Sequence, residues 1–495
     1  MSTARPNILV AIADDWAWPH AGAYGCRFVS TPVFDRLARE GVLFSNAFTT
    51  APTCTASRAS LLTGCYPWSL EAGIQLHGYL PAQFDVYPDL LERAGYWVGL
   101  TNKGWGPGSI QASGRQRNPA GPAFDRCRCE PLTNTMHKND YPANFAEFLE
   151  QRPAGTPFCF WYGSKEPHRP YEAGSGRRHG KQLADVDVPP YLPDCPEIRS
   201  DLLDYALEAE RFDRDLGRML HLLEERDELD NTIVVVTGDN GCPVPRAKAN
   251  IYENGCHIPL AIRWGGACPG RTVADFVGFI DLAPTFLELA GVPAPGAMAG
   301  KSLLPLLTSQ SGGRIDPARD AVATGRERHG YCRPDAVGYP MRSLVTDNYV
   351  YIRNFIPERW PAGTEKHVGD CDVSPTRQRL LEKRPGEERF YELCFGRRPA
   401  EELFRRQEDT GCLHNIIGTD EGAAVAAELG ARLDRLLRDT RDPRVLGRGW
   451  EFDCVPYLRP RPTEVPESFP PLDPTRVITR NCPAGEKISF TPPIQ

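Results

Sequence analysis

Cys54 and Arg58 lie four residues apart at the start of a short helical pattern, inside the stretch FTTAPTCTASRASLLTGCY. A thiol in the first turn of a helix lies where exposed backbone N–H groups and the helix dipole favour negative charge. An arginine one turn later can bind an oxyanion through two parallel N–H groups. The stretch therefore predicts a reactive side chain beside an anion-binding corner. Taken alone, it is also consistent with a buried structural cysteine.

Polar residues follow four apolar runs that have the character of buried strands. Asp14 and Asp15 follow residues 7–13, Asn102 and Lys103 follow residues 96–101, Lys165 to His168 follow residues 158–163, and Asp239 and Asn240 follow residues 232–237. Ligands of open parallel sheets bind beyond the carboxyl ends of the strands. We therefore expect these polar side chains to meet at one edge of a sheet, where the helix of Cys54 can also begin.

The oxygen donors among these residues predict a metal site. Asp14, Asp15, Asp239 and Asn240 offer three carboxylates and one amide, which suit a hard cation such as Ca²⁺ or Mg²⁺. No histidine lies among them, which argues against a pair of zinc ions. Helix capping by the aspartates and a simple turn at the Asp-Asn-Gly sequence are the alternative interpretations of each pair alone.

Two lysines and a histidine complete the candidate chemistry. Lys103 and Lys248 could bind the oxygens of a tetrahedral anion, although a lysine is more often a solvated surface residue. His168 lies between two prolines in the segment EPHRP, which restrict its loop. Beside an anion and a leaving group, it would serve as a general acid.

The elements that must position these residues have an α/β pattern. Short apolar runs alternate with helical periodicity, which predicts a large, mostly parallel sheet between layers of helices. The pattern predicts strands at residues 7–13, 42–48, 96–101, 158–163 and 232–237, and helices at residues 31–40, 87–94, 202–229 and 283–289. After about residue 340 the pattern changes to a predicted hairpin at residues 343–352 and an amphipathic helix at residues 421–438.

Composition excludes several classes of protein. The chain has 495 residues and a net charge of −7, with no lysine- or arginine-rich stripe, so we expect no nucleic-acid or membrane partner. No apolar run approaches the length of a transmembrane helix. The sixteen cysteines form no C-x-x-C pair, which predicts free thiols rather than a zinc or thiol-redox site. The N-terminal apolar run is too short for a secretion signal, so the expected location is the cytoplasm, or the periplasm or exterior if a leader has been removed.

The motifs together resemble those of one known family. The segment CTASRASLLTG, beginning at Cys54, resembles the signature of type I sulfatases, in which the cysteine is oxidised to formylglycine. RPNILVAIADDW and VVVTGDNG are similar to the family's metal-binding segments, TNKGWG and AKANIYENGCHIPL to its lysine segments, and EPHRP to its histidine segment. The resemblance covers roughly residues 5–300. It implies the alkaline phosphatase-like fold, with a smaller C-terminal α+β subdomain.

The resemblance also implies a role for each residue. The metal ion would be Ca²⁺, or alternatively Mg²⁺ or Mn²⁺. It would be bound by Asp14, Asp15, Asp239 and Asn240, together with residue 54. Arg58, Lys103 and Lys248 would neutralise the sulfate oxygens, and His168 would protonate the leaving group. A hydrated formylglycine would attack sulfur and later release sulfate by returning to the aldehyde. A formylglycine-generating enzyme would be the partner in maturation.

Some segments are closer to heparan N-sulfatase-like members than to arylsulfatases, namely GIQLHGYL and PHRP. This suggests a small anionic substrate or saccharide that carries sulfate, as an ester or as an N-sulfated amino sugar of a glycosaminoglycan. We expect substrate contacts from His77, Arg169, His257 and His329. The implied organisation is a catalytic domain at residues 1–340, a subdomain at residues 341–456 and a proline-rich extended tail at residues 457–495.

Two positions depart from the family's pattern. The signature normally has proline where this chain has Ala56, which bears on the oxidation of Cys54. The lysine segment usually carries a histidine two residues after the lysine, where this chain has Trp105. Either another histidine, such as His77 or His257, takes that role, or the site recycles differently.

Two alternative functions keep the same residues. Phosphonate monoester hydrolases and phosphodiesterases of the same superfamily use the same nucleophile on phosphorus, and a pocket for a tetrahedral anion does not separate them from sulfatases. A sugar-sulfate binding protein with an unmodified Cys54 would need no catalysis. The complete set of metal donors and both lysines argue against that second alternative.

Overall fold

A computed structural model of the chain describes residues 5–460, 465–466, 468–469 and 483. Its strands are β1 Asn7–Ala13, β2 Val42–Phe44, β3 Ala47–Phe48, β4 Trp97–Asn102, β5 Phe158–Gly163, β6 Thr232–Gly238, β7 Leu260–Arg263, β8 Arg271–Val273, β9 Val277–Gly278, β10 Ala321–Arg326, β11 Met341–Thr346, β12 Tyr349–Asn354 and β13 Glu401–Arg405. Seven of them form one sheet in the order β4-β5-β1-β6-β7-β2-β8. This mixed α/β sheet confirms the predicted fold class.

Four neighbouring strands of the large sheet are parallel. β1 pairs with β5 on one side and β6 on the other, and β4 pairs with β5. β7 runs antiparallel to both β6 and β2, while β8 is parallel to β2. Every residue of β1 and β6 is buried, as expected for strands covered on both faces. The carboxyl ends of β4, β5, β1 and β6 therefore meet at one edge.

Helices cover both faces of this sheet. The α-helices are α1 Pro32–Glu40, α2 Cys54–Thr63, α3 Tyr87–Arg93, α4 Ile110–Ser113, α5 Tyr141–Gln151, α6 Ser175–Arg178, α7 Pro196–Glu224, α8 Glu253–Cys256, α9 Leu282–Leu289, α10 Leu304–Thr308, α11 Pro375–Leu381, α12 Glu388–Phe395, α13 Asp420–Asp439 and α14 Trp450–Cys454. Leu9 of β1 packs in a cluster with residues of α1, α5 and α7, whereas Ile8 and Val10 pack with residues of α2, α3 and α9. The alternation of side chains along β1 thus joins two hydrophobic layers.

Two predicted elements have different bounds in the structure. The long helix α7 begins at Pro196, where proline suits the first helical turn, and ends at Glu224 rather than Leu229. Asp227 has a left-handed φ of 54°, which an α-helix does not accommodate. The predicted strand at residues 42–48 is two strands, since β2 pairs in the large sheet and β3 pairs with β9.

A second, four-stranded sheet is antiparallel throughout and has the order β10-β11-β12-β13. The predicted hairpin is confirmed as β11 and β12, and the predicted helix as α13, whose Leu433 and Leu437 pack in a cluster with Tyr351 of β12. The predicted boundary at residue 340 falls between β10 and β11, and the division into domains stays a prediction. Most of the predicted tail after residue 457 lies outside the described residues.

The described part of the chain contains no helix that is long and apolar enough to cross a bilayer. Its 15 described cysteines are free, Cys54 among them. Cys127 and Cys129, the two closest in sequence, are both partly exposed and unbridged.

Candidate active site

Cys54 is the first residue of α2, and the whole helix is buried. The preceding Thr53 is extended, and Gly64 with a left-handed φ of 65° ends the helix. Its first turn lies at the carboxyl edge of the large sheet, because Ser57 donates a hydrogen bond of 2.5 Å to the backbone carbonyl of Asp239, directly after β6. The Cys54 side chain lines a cavity of about 960 Å³.

Arg58 is fully buried one turn after Cys54. Its Nε donates to Asp239 at 2.8 Å, and its Nη1 donates to the carbonyls of Lys103 at 2.6 Å and Gly104 at 3.1 Å. Only Nη2 has no hydrogen-bond partner among the described residues, and it lies 3.7 Å from Asp14. Arg58 therefore ties the ends of β4 and β6 to the nucleophile helix, and its Nη2 faces the carboxylate of Asp14.

The four oxygen donors predicted to bind a metal lie together. Asp15 accepts a hydrogen bond of 2.7 Å from the Asn240 amide, and the Asp15 backbone N–H donates to Asp239 at 2.9 Å. Candidate ligand atoms of Asp14, Asp15 and Cys54 all lie within 4.8 Å of one another. Oδ1 of Asp14 and Oδ1 of Asn240 are buried and have no hydrogen-bond partner among the described residues. Two unpaired buried oxygens within a carboxylate cluster fit a hard divalent cation.

Three buried carboxylates, Asp14, Asp15 and Asp239, lie beside Arg58 and the two lysines in this cluster. Burial, together with the charge of Asp14, raises the pKa of Asp239 to about 7. Burial would also raise the pKa of Asp14, but the positive charges around it, led by Lys103, hold that pKa well below its usual range. A bound cation would favour the ionised form of Asp239.

Two lysines from distant parts of the sequence contact the carboxylates of this cluster. Lys103, at the end of β4, lies 2.5 Å from Asp14. Lys248 lies 2.7 Å from Asp15 and 2.9 Å from Asp372. Both lysines line the cavity, and their binding of a tetrahedral anion stays a prediction.

His168 presents one ring nitrogen to the cluster. Its Nδ1 lies 2.6 Å from the backbone carbonyl of Arg169, so Nδ1–H donates and Nε2 is left for the site. Nε2 lies 3.9 Å from Asp15. The loop that carries the ring is held by buried Glu166, whose carboxylate accepts hydrogen bonds from Tyr141 and Ser164. The side chain is 30% exposed and lines the cavity, a position suited to proton transfer.

The rim of the cavity is aromatic and basic. His77 and His329, two of the predicted substrate contacts, line it together with Trp105, Tyr457 and Arg459. Burial and nearby positive charge lower the pKa of His77 to about 3, and burial lowers the pKa of His329 to about 4. Both rings are therefore neutral at pH 7 and can accept as well as donate hydrogen bonds.

Arg169 and His257 are not among the residues that line this cavity, which corrects the predicted substrate contacts. Arg169 is 7% exposed and forms a bidentate ion pair with Asp201. His257 is 1% exposed, stacks between Trp18 and Phe48, and has both ring nitrogens engaged, by Glu253 and by the carbonyl of Ser45. Their sequence motifs are close to site residues, but packing turns both side chains into the protein. Of the two histidines considered for the role lost at Trp105, the structure leaves His77.

Two further residues line or border the cavity without a role predicted from the sequence. Asp372 was not predicted at all, and Trp105 was predicted only as the position where the family's histidine is absent. Asp372 comes from the segment between β12 and α11, and no motif marks it. Trp105 is 4% exposed, and its indole N–H has no partner among the described residues. Its ring packs against Gly108, where an added Cβ would lie 2.4 Å from the indole. The spacing from Lys103 located Trp105, whereas only the tertiary structure locates Asp372.

Comparison with known proteins identifies the family of this chain. The sulfatase family model matches residues 6–292, and the model of the N-sulphoglucosamine sulphohydrolase C-terminal region matches residues 247–353. Human N-sulphoglucosamine sulphohydrolase is 28% identical over 490 residues, covering 89% of this chain and 92% of that protein. An ulvan-active sulfatase of Formosa agariphila is 28% identical over 464 residues, covering 88% of this chain and 75% of the relative.

Solved structures share the fold. One, in complex with its substrate D-glucosamine-2-N,6-O-disulfate, superposes with a TM-score of 0.61 at 21% identity, covering 88% of this chain and 98% of the other. A phosphonate monoester hydrolase of Silicibacter pomeroyi superposes with a TM-score of 0.65 at 18% identity, covering 89% and 96%. The family match spans more than half of the chain and contains Cys54, both lysines and the four predicted metal ligands, whereas Asp372 lies outside it. This protein therefore belongs to the sulfatase family and is a hydrolase of that family.

Proposed function

We propose that this protein hydrolyses a sulfate ester or sulfamate on a sulfated sugar, with residue 54 in its formylglycine form. The observation that carries the proposal is the position of Cys54. It lies at the first turn of a buried helix and lines the same cavity as Asp14, Lys103, His168 and Lys248. A nucleophile, a cation site, two ammonium groups and a histidine are the parts that transfer of a tetrahedral anion requires.

Two groups that the family uses would complete the site. A formylglycine at position 54 supplies a hydrated aldehyde with a nucleophilic hydroxyl. A divalent cation, Ca²⁺ or alternatively Mg²⁺ or Mn²⁺, supplies positive charge that favours the ionised hydroxyl. Asp14, Asp15, Asp239 and Asn240 would hold the cation, and the two unpaired oxygens described above support this assignment.

The remaining steps belong to side chains of the chain itself. Lys103 and Lys248 bind the oxygens of the sulfuryl group and neutralise the charge that develops on them. Arg58 holds Asp239 in place, and its buried positive charge would help to neutralise the sulfuryl oxygens. His168, anchored through Nδ1–H, would carry a second proton on Nε2 as imidazolium, give that proton to the leaving oxygen or nitrogen, and return to the neutral ring.

An N-sulfated amino sugar is the substrate class that we propose. The C-terminal family match carries the N-sulphoglucosamine sulphohydrolase description, and a human relative has that name. The lining is compatible with a sugar ligand, because Tyr457 and Trp105 contribute aromatic groups while His77, His329 and Arg459 contribute groups that can hydrogen-bond to hydroxyl and sulfate groups. A glycosaminoglycan fragment would provide such a sugar.

Maturation would require a formylglycine-generating enzyme acting on Cys54. Ala56 replaces the proline usual in this signature, and it lies in the first turn of α2. Mass spectrometry of the tryptic peptide that ends at Arg58 should show the change from CH₂SH to CHO at residue 54 when the chain is produced together with that enzyme. An unmodified thiol under those conditions would contradict the proposed nucleophile.

The functional test is a screen of defined substrates with the matured protein. We expect release of sulfate from N-sulfoglucosamine and from heparin-derived saccharides that end in this sugar. Aryl phosphodiesters and phosphonate monoesters test the alternative reaction at phosphorus. Turnover of the phosphorus substrates without any release of sulfate would overturn the proposal in favour of that alternative.

A further inference from the structure

A second basic cavity lies apart from the one that contains Cys54. It has a volume of about 520 Å³, and no residue lines both cavities. Four arginines line it, Arg246, Arg389, Arg397 and Arg398. Among the described residues none of these four forms an ion pair, although the protein as a whole has a net charge of −7.

Two of the arginines are buried and form no direct ion pair in the described part of the chain. Arg246 is 3% exposed and Arg398 is 8% exposed, and both guanidinium groups stack on the ring of Tyr252, at 3.9 Å and 5.2 Å from its centre. Both donate hydrogen bonds to the backbone carbonyl of Leu393, near the end of α12. The Nε atom of each arginine is buried and has no hydrogen-bond partner in the described part of the chain. A desolvated guanidinium with an unused N–H group is a strong donor to an oxyanion.

The other two arginines lie at the mouth of the cavity. Arg389 and Arg397 are exposed, and their guanidinium groups lie over the rings of Phe390, at 4.5 Å, and Trp360, at 4.9 Å. Aromatic contacts of this kind hold an arginine in place while its N–H edges stay available.

Two carboxylates also line the cavity, but they leave a positive excess. Glu402 is buried and accepts hydrogen bonds from Tyr252 at 2.8 Å and from Asn354 at 2.9 Å, so its oxygens are engaged. Glu392 is exposed at the rim. Four guanidinium groups thus face two carboxylates, one of which is held by other partners.

We propose that this arginine cavity is a second anion site, which binds the sulfate or carboxylate group of a small molecule. Its volume would admit a sugar residue that carries the anionic group, as well as a free inorganic anion. One loop connects this site to the active centre, because Arg246 lies only two residues before Lys248. The backbone N–H of Lys248 donates a hydrogen bond to the carbonyl of Cys242, which closes the loop. The proposal does not depend on turnover or on the nature of the nucleophile.

The test is calorimetric titration of the Cys54→Ala variant with sodium sulfate and, separately, with a heparin-derived sulfated disaccharide. The double variant Arg389→Gln, Arg397→Gln removes the two exposed donors and leaves the buried, structural pair in place. Arg435→Gln is the matched control, since Arg435 is an exposed arginine of α13 outside the cavity. We expect the double variant to lose one of two binding events or to weaken it at least about tenfold, as the loss of charged hydrogen bonds requires. The control should retain both events.

The two titrants distinguish the source of the anion. Arginine-dependent binding of sulfate alone or of both titrants identifies a site for a free oxyanion, and arginine-dependent binding of the disaccharide alone identifies a saccharide site. Equal binding of both titrants to the Cys54→Ala protein, the double variant and the control would overturn the proposal. Melting curves of the three proteins confirm that the comparison is made between folded chains.

Discussion

The ammonium group of Lys248 lies 2.9 Å from the carboxylate of Asp372, although 124 residues separate them. The same ammonium lies 2.7 Å from Asp15 in the cation site. Lys248 therefore connects the cluster at the end of β1 to a segment that follows β12. We predict that Lys248→Met lowers kcat/KM about 10²–10³-fold, as the loss of one preorganised charge does at other anionic transition states. Asp372→Asn should cost less, because Asp15 still holds the lysine.

Steady-state kinetics on a sugar sulfate would rank these variants, with Lys301→Met as the control for an exposed lysine that does not line the cavity. An Asp372→Asn loss as large as that of Lys248→Met would show that Asp372 has a direct role of its own.

Replacing the nucleophile should abolish repeated turnover without unfolding the protein. Cys54→Ser provides one hydroxyl and cannot form an aldehyde, so covalent sulfate would have no internal route of release. Cys65→Ser is the matched control, since Cys65 is also a buried thiol, and its Sγ donates hydrogen bonds to the carbonyls of Thr63 and Ala297. We expect full activity in Cys65→Ser and none beyond a single turnover in Cys54→Ser. Multiple turnovers by the Cys54→Ser protein would refute the assigned nucleophile.

Calcium should stabilise the folded chain in the absence of any substrate. A ligand that binds only the native state at a concentration of 100 times its Kd adds about 2.7 kcal/mol to the free energy of unfolding. We predict that excess Ca²⁺ raises the melting temperature of the native sequence and that Asp14→Asn removes this rise. Asp439→Asn, at an exposed position on α13, should keep it. The same rise in Asp14→Asn and in the native sequence would place the cation elsewhere.

Replacing His168 should reduce activity most on substrates whose leaving group needs a proton to depart. A general acid contributes about 10²–10⁴-fold where the departing atom needs a proton. We predict a loss of this size for His168→Ala on a sugar sulfate or sulfamate. On 4-nitrophenyl sulfate, whose phenolate departs without protonation, the loss should be close to none. His221→Ala, at a position 68% exposed, serves as the control. Equal losses on the two substrates would assign His168 to binding.

Glu208 should make stability depend on pH. It is 1% exposed on α7, and burial together with the charge of Glu166 raises its pKa from 4.5 to about 8. Between these values the unfolded chain has lost the proton while the folded chain keeps it, so stability falls as pH rises from about 5 to 8. Glu208→Gln imitates the protonated form. We expect it to be nearly neutral at pH 5 and to stabilise by about 2 kcal/mol at pH 8.

Urea unfolding at the two pH values would measure this effect. Glu288→Gln, at an exposed position, should match the native sequence at both. A stabilisation by Glu208→Gln that is the same at pH 5 and pH 8 would contradict the raised pKa.

The sequence by itself determined the frame of the site. Four site residues each follow a buried strand, namely Asp14, Lys103, His168 and Asp239. Neighbouring parallel strands bring their carboxyl ends to one edge of the sheet, independently of the conformation of the loops. The start of α2 at Cys54 was likewise a local property of its stretch. These positions could be predicted because strand direction and helix start depend on nearby residues.

The tertiary structure decided which other side chains reach the cavity. Asp372 enters through contacts with Lys248 that no local pattern reveals, whereas Arg169 and His257, each close to a recognisable motif, turn inward to Asp201 and Glu253. A buried charge or ring takes whichever partner satisfies its hydrogen bonds, and that partner can come from any part of the chain. The ends of the strands therefore determined where the site residues lie, and long-range packing of the loops determined which other residues line the cavity.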